Sequence, residues 1–300
     1  MIRLGILDFD TSHCVAFTTR INNIGVAKSQ FVEGAKVVIG CPGESKLSPE
    51  RIEGFTKEMK KLGVPLVAKP EEMIGQVDAM LIEAVDGTVH LDRARPFLEA
   101  GLPCFIDKPF TCSVADGRKL IALAAKKKVP IFSSSSLRYA PEVVAFTQDK
   151  SAGKLIGCTV YCPASLSPVA GRNDGLFHYG IHGVEVLYTL MGPGCQRVTC
   201  VHERGTDVVT GAWKDGRVAT LRGIRDGAAA YGFTAFSEKG VKAVTIKTDA
   251  IYRELCKKIV ETFEKKVSVL DPAITLEIVA FIEAANASGD NHGAVQTIKL

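Results

Sequence analysis

Over the first 135 positions two apolar patterns take turns. Short, nearly unbroken apolar runs recur at 2–8 (IRLGILD), 35–41 (AKVVIGC), 77–84 (VDAMLIEA), 103–107 (PCFID) and 129–135 (VPIFSSS). Runs this short and this apolar predict strands buried on both faces. Between them apolar positions fall three and four apart, as in Cys14, Phe17, Ile21 and Ile24, and again in Ile52, Phe55, Met59 and Leu62. That spacing predicts helices with one buried stripe. The second helix has both ends marked, with Ser48 as N-cap, Pro49 in the first turn and Gly63 as stop. Further helices are predicted over 88–100, ended by Gly101, and over 113–128. Strand and helix in this alternation imply right-handed βαβ units and a doubly wound parallel sheet. Residues 1–134 are therefore expected to form a Rossmann-type dinucleotide-binding domain.

The rhythm changes near residue 135. A helix is predicted over PEVVAFTQDK (141–150), a strand over GKLIGCTVYCPASL (153–166) and one long helix over 174–192, stopped by the GPG of 192–194. Alternating runs follow at 198–205, 207–223 and 230–248, with Asp215-Gly216 as a hairpin turn. Residues 135–300 are expected to form an α+β domain with a mostly antiparallel sheet. The fold class is α/β: a Rossmann domain followed by this second domain.

Composition narrows the function classes. The chain has 300 residues, 46% of them hydrophobic and 23% charged, which is globular composition. Its net charge of +4 comes from scattered lysines, several closing helices as Lys126, Lys127 and Lys128 do, so no nucleic-acid stripe is expected. No apolar run reaches the roughly 18 residues of a membrane span, and no secretory leader is recognised. Nine cysteines with no C-x-x-C pair suit a reducing cytosol, and a cytoplasmic location is expected.

Two stretches carry candidate chemistry. In DKPF (107–110) Lys108 follows a strand, which puts it at the carboxyl edge of the sheet, where open α/β folds bind ligands. An ammonium there can bind an alkoxide or pass a proton; a surface lysine before a proline is the plainer alternative. In HYGIHGVE (178–185), His178, His182 and Glu185 are spaced i, i+4, i+7 and would share one helix face. They can serve as a general acid/base set, as metal ligands, or simply as a polar surface stripe. No metal ligand is assigned.

In order along nearly the whole chain, these and three further motifs resemble the Gfo/Idh/MocA family, the glucose–fructose oxidoreductase and inositol dehydrogenase type. Asp107-Lys108-Pro109 is similar to its strand-ending E-K-P. Arg138-Tyr139-Ala140-Pro141 is similar to its arginine–aromatic–x–proline segment. AGKLIG (152–157) stands before a strand as the family's G-x-i-G does, the 178–185 stretch is similar to D-x-G-x-H-x-x-D/E, and ANASGDNHGAVQTI (285–298) is similar to its C-terminal segment. The resemblance implies NAD(P)-dependent oxidation of a sugar or polyol hydroxyl, with Lys108 and His182 as catalytic residues and His178 beside them. It implies substrate contacts from Arg138, Tyr139 and Glu185, and a homodimer or homotetramer through the second-domain sheet. A non-redox sugar lyase, hydratase or epimerase on the same fold, and a retired sugar-binding protein, are the alternatives.

The departures lie on the cofactor side. Asp8, Asp10 and His13 stand on the three fingerprint glycines, and Cys41 stands near the ribose-binding acid. His90 is retained, within EAVDGTVH. The residues assigned to the cofactor are Asp8, Asp10, Thr11, Ser12, His13, Cys41, His90, Asp107 and Lys108. Asp10 is expected to cap the first helix. Two carboxylates would repel a pyrophosphate more strongly than a helix dipole attracts it. Glu83 and Asp107 are expected beside Asp8 and Asp10 in an acidic cleft with Lys108, and Asp86 is expected to turn outward. Such a cleft suits a polyhydroxylated ligand or a divalent cation.

Overall fold

The computed structural model describes all 300 residues and divides into two compact units. The first comprises Met1–Thr111, Ala115–Ser134 and Tyr252–Pro272. Its strands are β1 (Ile2–Leu7), β2 (Ala35–Cys41), β3 (Ala79–Ile82), β4 (Cys104–Ile106) and β5 (Ile131–Phe132), all parallel, in the order β2-β1-β3-β4-β5. The order reverses at β1, the switch point beside which such sheets bind ligands. Helices α1 (His13–Ile21), α2 (Pro49–Lys61), α3 (His90–Glu99) and α4 (Val114–Lys127) connect them. The expected Rossmann sheet is present. Its core is the strands' own apolar side chains, among them Leu4, Ile6, Leu81, Ile82, Phe105 and Ile106, all fully buried.

Two local expectations are corrected, while Ser48 is the N-cap of α2 as expected. Helix α2 buries only Met59, because Ile52, Phe55 and Leu62 lie on a half-covered rim. Ser48 occupies its N-cap without a side-chain capping bond. Residues 252–272, expected in the second domain, pack in the first unit. Most of α7 (Ile251–Lys265) lies there, and its Tyr252 ring stands edge-on to His13 and Phe17.

The second unit comprises Cys112–Val114, Ser135–Ile251 and Ala273–Leu300. Its helices are α5 (Pro141–Gln148), α6 (Ile181–Met191) and α8 (Pro272–Asp290). Its strands are β6 (Leu155–Pro163), β7 (Cys195–Glu203), β8 (Thr206–Trp213), β9 (Val218–Ile224), β10 (Gly232–Ser237), β11 (Gly240–Thr245) and β12 (Gln296–Thr297). They form one sheet in the order β11-β10-β6-β9-β8-β7-β12, antiparallel throughout except for β6 beside β9, as expected of the α+β part. The β8–β9 turn holds Asp215 and Gly216, the latter at φ 87°.

The long helix expected over 174–192 is broken. Gly175–Phe177 forms a single 3-10 turn, and α6 starts only at Ile181, with Gly180 as N-cap. Glycine favours neither a helix interior nor its nucleation, and a side chain on Gly180 would meet the Leu176 Cα at 3.2 Å. His178 therefore lies in the half-buried turn before α6, not on a helical face with His182 and Glu185.

Helix α6 presses on its sheet through Gly183. A methyl group there would stand 2.5 Å from both Cys162 Sγ and Leu221 Cδ1. Gly183→Ala should lower the unfolding free energy by about 1–2 kcal/mol, since overpacking outweighs the gain in helix propensity. Gly54→Ala, on open surface in α2 with nothing within 4 Å, should raise it by about 0.5–1 kcal/mol. Urea denaturation of the two variants should give opposite signs for the same substitution.

Candidate functional site

The first unit gathers its candidate residues where β1, β3 and β4 end. The β1–β2 ladder runs on past β1: Asp8 N–H donates to Cys41 O at 3.0 Å and Phe9 N–H to Pro42 O at 2.9 Å. Asp8 takes φ 69°, the left-handed conformation a glycine would adopt without strain. Its carboxylate lies against Gly43, where a Cβ would come within 1.9 Å of Oδ1. Cys41, at the end of β2, is buried, with Sγ 3.8 Å from Ala68 O.

Asp8, Phe9 and Asp10 are 0–2% exposed, so this loop is filled by its own side chains. The carboxylates of Asp8 and Asp10 turn into the protein rather than lining an acidic cleft. To the charge repulsion expected from the sequence the structure adds a steric and backbone constraint: bulky side chains stand where the glycines would be, and two of the loop amides are already bonded. Asp10 does not cap α1. Its Oδ1 accepts from Val85 N–H at 3.0 Å, after β3, and the N-cap is Ser12, exposed and without a side-chain capping bond. Thr11 Oγ1 lies 3.4 Å from His13 N. Asp86, expected outward, is buried because its carboxylate accepts from Thr88 N–H and Thr88 Oγ–H at 2.9 and 2.6 Å.

Burial sets the protonation of these groups. Asp8 is pushed up to about 7, chiefly by loss of hydration, with Arg93 opposing and Asp10 adding to the shift. Arg93 Nε is 3.4 Å from Asp8 Oδ2, yet neither carboxylate oxygen accepts a hydrogen bond. Burial also raises Asp10, against hydrogen bonds from Ser45 and Val85. Glu83, fully buried after β3, is raised well above its ordinary value by desolvation and by Asp107 and Asp10. For Asp107 burial acts upward, but the His13 charge and hydrogen bond and Lys108 outweigh it and hold the carboxyl low. His13 Nδ1 lies 2.7 Å from Asp107 Oδ2 and 3.8 Å from Glu83 Oε2. Lys108, 8% exposed, donates its amide to Asp107 Oδ1 at 2.7 Å. His90 spans three carbonyls: Nε2 is 2.7 Å from Ala84 O, and Nδ1 is 2.8 and 3.1 Å from Pro109 O and Phe110 O. This ties the β3 loop to the one that follows Lys108.

The second unit gathers another group around α6. The 3-10 turn Ser136–Tyr139 places Arg138 beside Glu185, with Nε donating at 2.7 Å and the other guanidinium contact at 2.6 Å, both to Oε2. Glu185 Oε1 accepts from Ser135 N–H at 3.2 Å. Ser135 Oγ accepts from Leu137 N–H and lies 2.7 Å from His182 Nδ1. The His182 ring is edge-on to Tyr179 at 4.9 Å, and Tyr231 O–H donates to Tyr179 Oη at 3.1 Å. Tyr139 is half-buried at the end of its turn. No sequence motif marks Ser135, Tyr179 or Tyr231 by itself; for Ser135 the one signal is the run of serines at 133–136. A groove of about 900 Å³ elsewhere in this unit, lined in part by Phe146, Lys154, Arg217 and Lys242, contains none of these residues.

Residues 46–135 match the family model GFO_IDH_MocA, described as an oxidoreductase family with an NAD-binding Rossmann fold. The match holds Glu83, His90, Asp107 and Lys108 and begins beyond the loop of residues 8–12 between β1 and α1. The chain is similar in structure to a probable dehydrogenase from Thermotoga maritima, at TM-score 0.83 and 14% identity over 99% of each chain. It is similar to myo-inositol dehydrogenase from Lactobacillus casei in complex with NAD(H) and myo-inositol, at 0.79 and 13% over 100% of this chain and 97% of that one. It is also similar to GenD2 from gentamicin A biosynthesis in complex with NAD, at 0.82 and 15% over 100% and 97%. At these identities the likeness is one of fold. No curated protein sequence matches the chain.

Asp8 supplies a pH test. Its carboxyl is raised in the folded state, so between about pH 4 and pH 7 the native protein binds a proton that the unfolded chain has lost. Its contribution to stability therefore falls as pH rises through that window. Asp8→Asn, which also tolerates the left-handed backbone, should match wild type near pH 4 and be more stable at pH 8, by at most about 4 kcal/mol. Urea unfolding at the two pH values measures the difference.

Proposed function

We propose that this chain, whose residues 46–135 are Gfo/Idh/MocA-type sequence and whose fold is shared with solved dehydrogenases, is an oxidoreductase acting on a hydroxyl of a carbohydrate-like small molecule. The observation that carries this reading is the family match itself: it covers the strand-end segment in which Lys108 stands on the Asp107 carboxylate. In this reading Lys108 and His182 move the hydroxyl proton. His182 Nδ1 is tied to Ser135, and Nε2 exchanges the proton. The Glu185 carboxylate holds Arg138 and the Ser135 amide, and so fixes the turn on which His182 leans. Arg138 and Tyr139 are assigned to the substrate by the family motif, and His178, which stands where that motif has an aspartate, is assigned to proton transfer.

Oxidation of a hydroxyl needs a hydride acceptor, which the nicotinamide of NAD or NADP supplies when bound. Of the residues assigned to it, Ser12 suits its phosphates, because it is exposed at the N-terminus of α1 with its hydroxyl not spent on a cap, whereas Thr11 is buried. The glycine cradle is replaced by Asp8, Phe9 and Asp10. That replacement favours a second reading, a non-redox lyase, hydratase or epimerase that uses the same proton-transfer residues. For location, eight of the nine free cysteines are buried and none is paired, which supports a reducing cytoplasm; no helix is long and apolar enough to cross a membrane. A homodimer or homotetramer through the second-unit sheet is supported by the exposed Ile156, Val201, Phe236 and Val241 on its strands.

The test is turnover of an inositol and sugar-acid panel with NAD+ or NADP+. Formation of reduced nicotinamide is expected, and Lys108→Met and His182→Ala should each lower the rate by about 10²–10⁴-fold while circular dichroism stays native. Exchange of solvent deuterium into a substrate C–H with no reduced nicotinamide would favour the non-redox reading. Neither signal on the panel would count against both.

A further inference from the structure

Glu83 is the least satisfied charged group in the first unit. It is 0% exposed, and neither carboxylate oxygen has a hydrogen-bond partner. His13 Nδ1, 3.8 Å from Glu83 Oε2, is beyond hydrogen-bond reach. Either protonation state leaves a cost. Ionised, Glu83 is a buried charge without a donor; neutral, it is a buried O–H without an acceptor, and each costs kilocalories. Its carboxylate points at the His13–Asp107 pair, and one atom from each of the three residues lies within 4.8 Å of the others.

We infer that His13, Glu83 and Asp107 form a binding site for a first-row divalent cation. One imidazole nitrogen and two carboxylate oxygens suit Mn2+, Fe2+ or Zn2+. Ligands around one such ion at about 2.0–2.2 Å stand some 3–3.5 Å apart. The 2.7 Å His13–Asp107 contact opens and the Glu83 contact closes by fractions of an ångström to reach that spacing. The ligands are held from behind. His13 stacks on Phe17 at 4.9 Å with Tyr252 edge-on at 5.1 Å, and Asp107 Oδ1 accepts the Lys108 amide. The cation lowers the cost of three buried ionisable groups at once, and it explains why two carboxylates share the end of this sheet. With three protein ligands, positions stay open for hydroxyl or carboxylate oxygens of a small molecule. His13 is the ligand with some exposure, 7%, so exchange passes its ring.

This site rests on the first unit alone and not on the roles given to Lys108 and His182. A failed turnover assay leaves it standing, and its own failure leaves that assay untouched. The probe is Mn2+, which discriminates against the nine thiols. Titration of the metal-stripped full-length protein, with free Mn2+ counted by electron paramagnetic resonance, should give one ion per chain and a raised melting temperature. Glu83→Gln, a neutral copy of the protonated acid, should weaken binding at least tenfold and lose the melting shift. Glu277→Gln, at a buried carboxylate of the second unit outside every site described, should retain both. Nitrogen hyperfine coupling on the bound Mn2+ should appear in wild type and vanish in His13→Gln, which keeps the assignment testable if Glu83→Gln does not fold. No stoichiometric binding to wild type, or equal binding by Glu83→Gln, would overturn the site and leave Glu83 as a neutral buried acid.

Discussion

A carboxylate taken out of water at the end of a parallel strand must find a donor, a cation or a proton, and the first unit is organised around that requirement. Four such groups, Asp8, Asp10, Glu83 and Asp107, are 0–2% exposed. Each meets the requirement differently. Asp107 takes His13 and the Lys108 amide, and Asp10 takes the Val85 amide. Asp8 leans toward Arg93 and moves its titration toward neutrality. Glu83 has no hydrogen-bond donor, and burial raises its titration well above the ordinary carboxylate range. The loops after β1, β3 and β4 are thereby joined by side chains, His90 adding its bonds to three carbonyls.

The same requirement reshapes the phosphate loop. A glycine loop leaves backbone amides open to an anion. Here the ladder is extended by the Asp8 and Phe9 amides, and the side chains fold inward over Gly40 and Gly43. The left-handed Asp8 keeps the path of a glycine loop while changing what that path presents. What stays exposed is the end of α1 at Ser12. The chemistry of this edge has shifted from backbone donors toward carboxylate and imidazole groups.

The second unit solves a parallel problem by pairing. Glu185, nearly fully buried in α6, is satisfied by Arg138 and the Ser135 amide. Breaking such a pair by removing one partner costs far more than the pair contributes, because the remaining charge is stranded. The Arg138–Glu185 pair thus couples the 3-10 turn to the helix, and His182 is oriented as a consequence through Ser135.

By itself the sequence determined the two architectures, since buried strands and amphipathic helices follow from apolar spacing that each segment carries locally. It also placed Lys108 at a strand end beside Asp107, and gave a family resemblance that the match bears out over residues 46–135. Tertiary structure alone decided the rest. Whether Asp8 and Asp10 faced solvent or core depended on Gly43 and Val85, far along the chain. Whether His178 shared a face with His182 depended on whether two glycines sustained a helix against Leu176. That Tyr252 would return edge-on to His13, and that Glu83 and Asp107 would converge on His13, depended on contacts across about 70 to 240 residues. Periodicity reports which face of an element is apolar, but the partner of a buried charge is chosen only when distant strands are brought edge to edge.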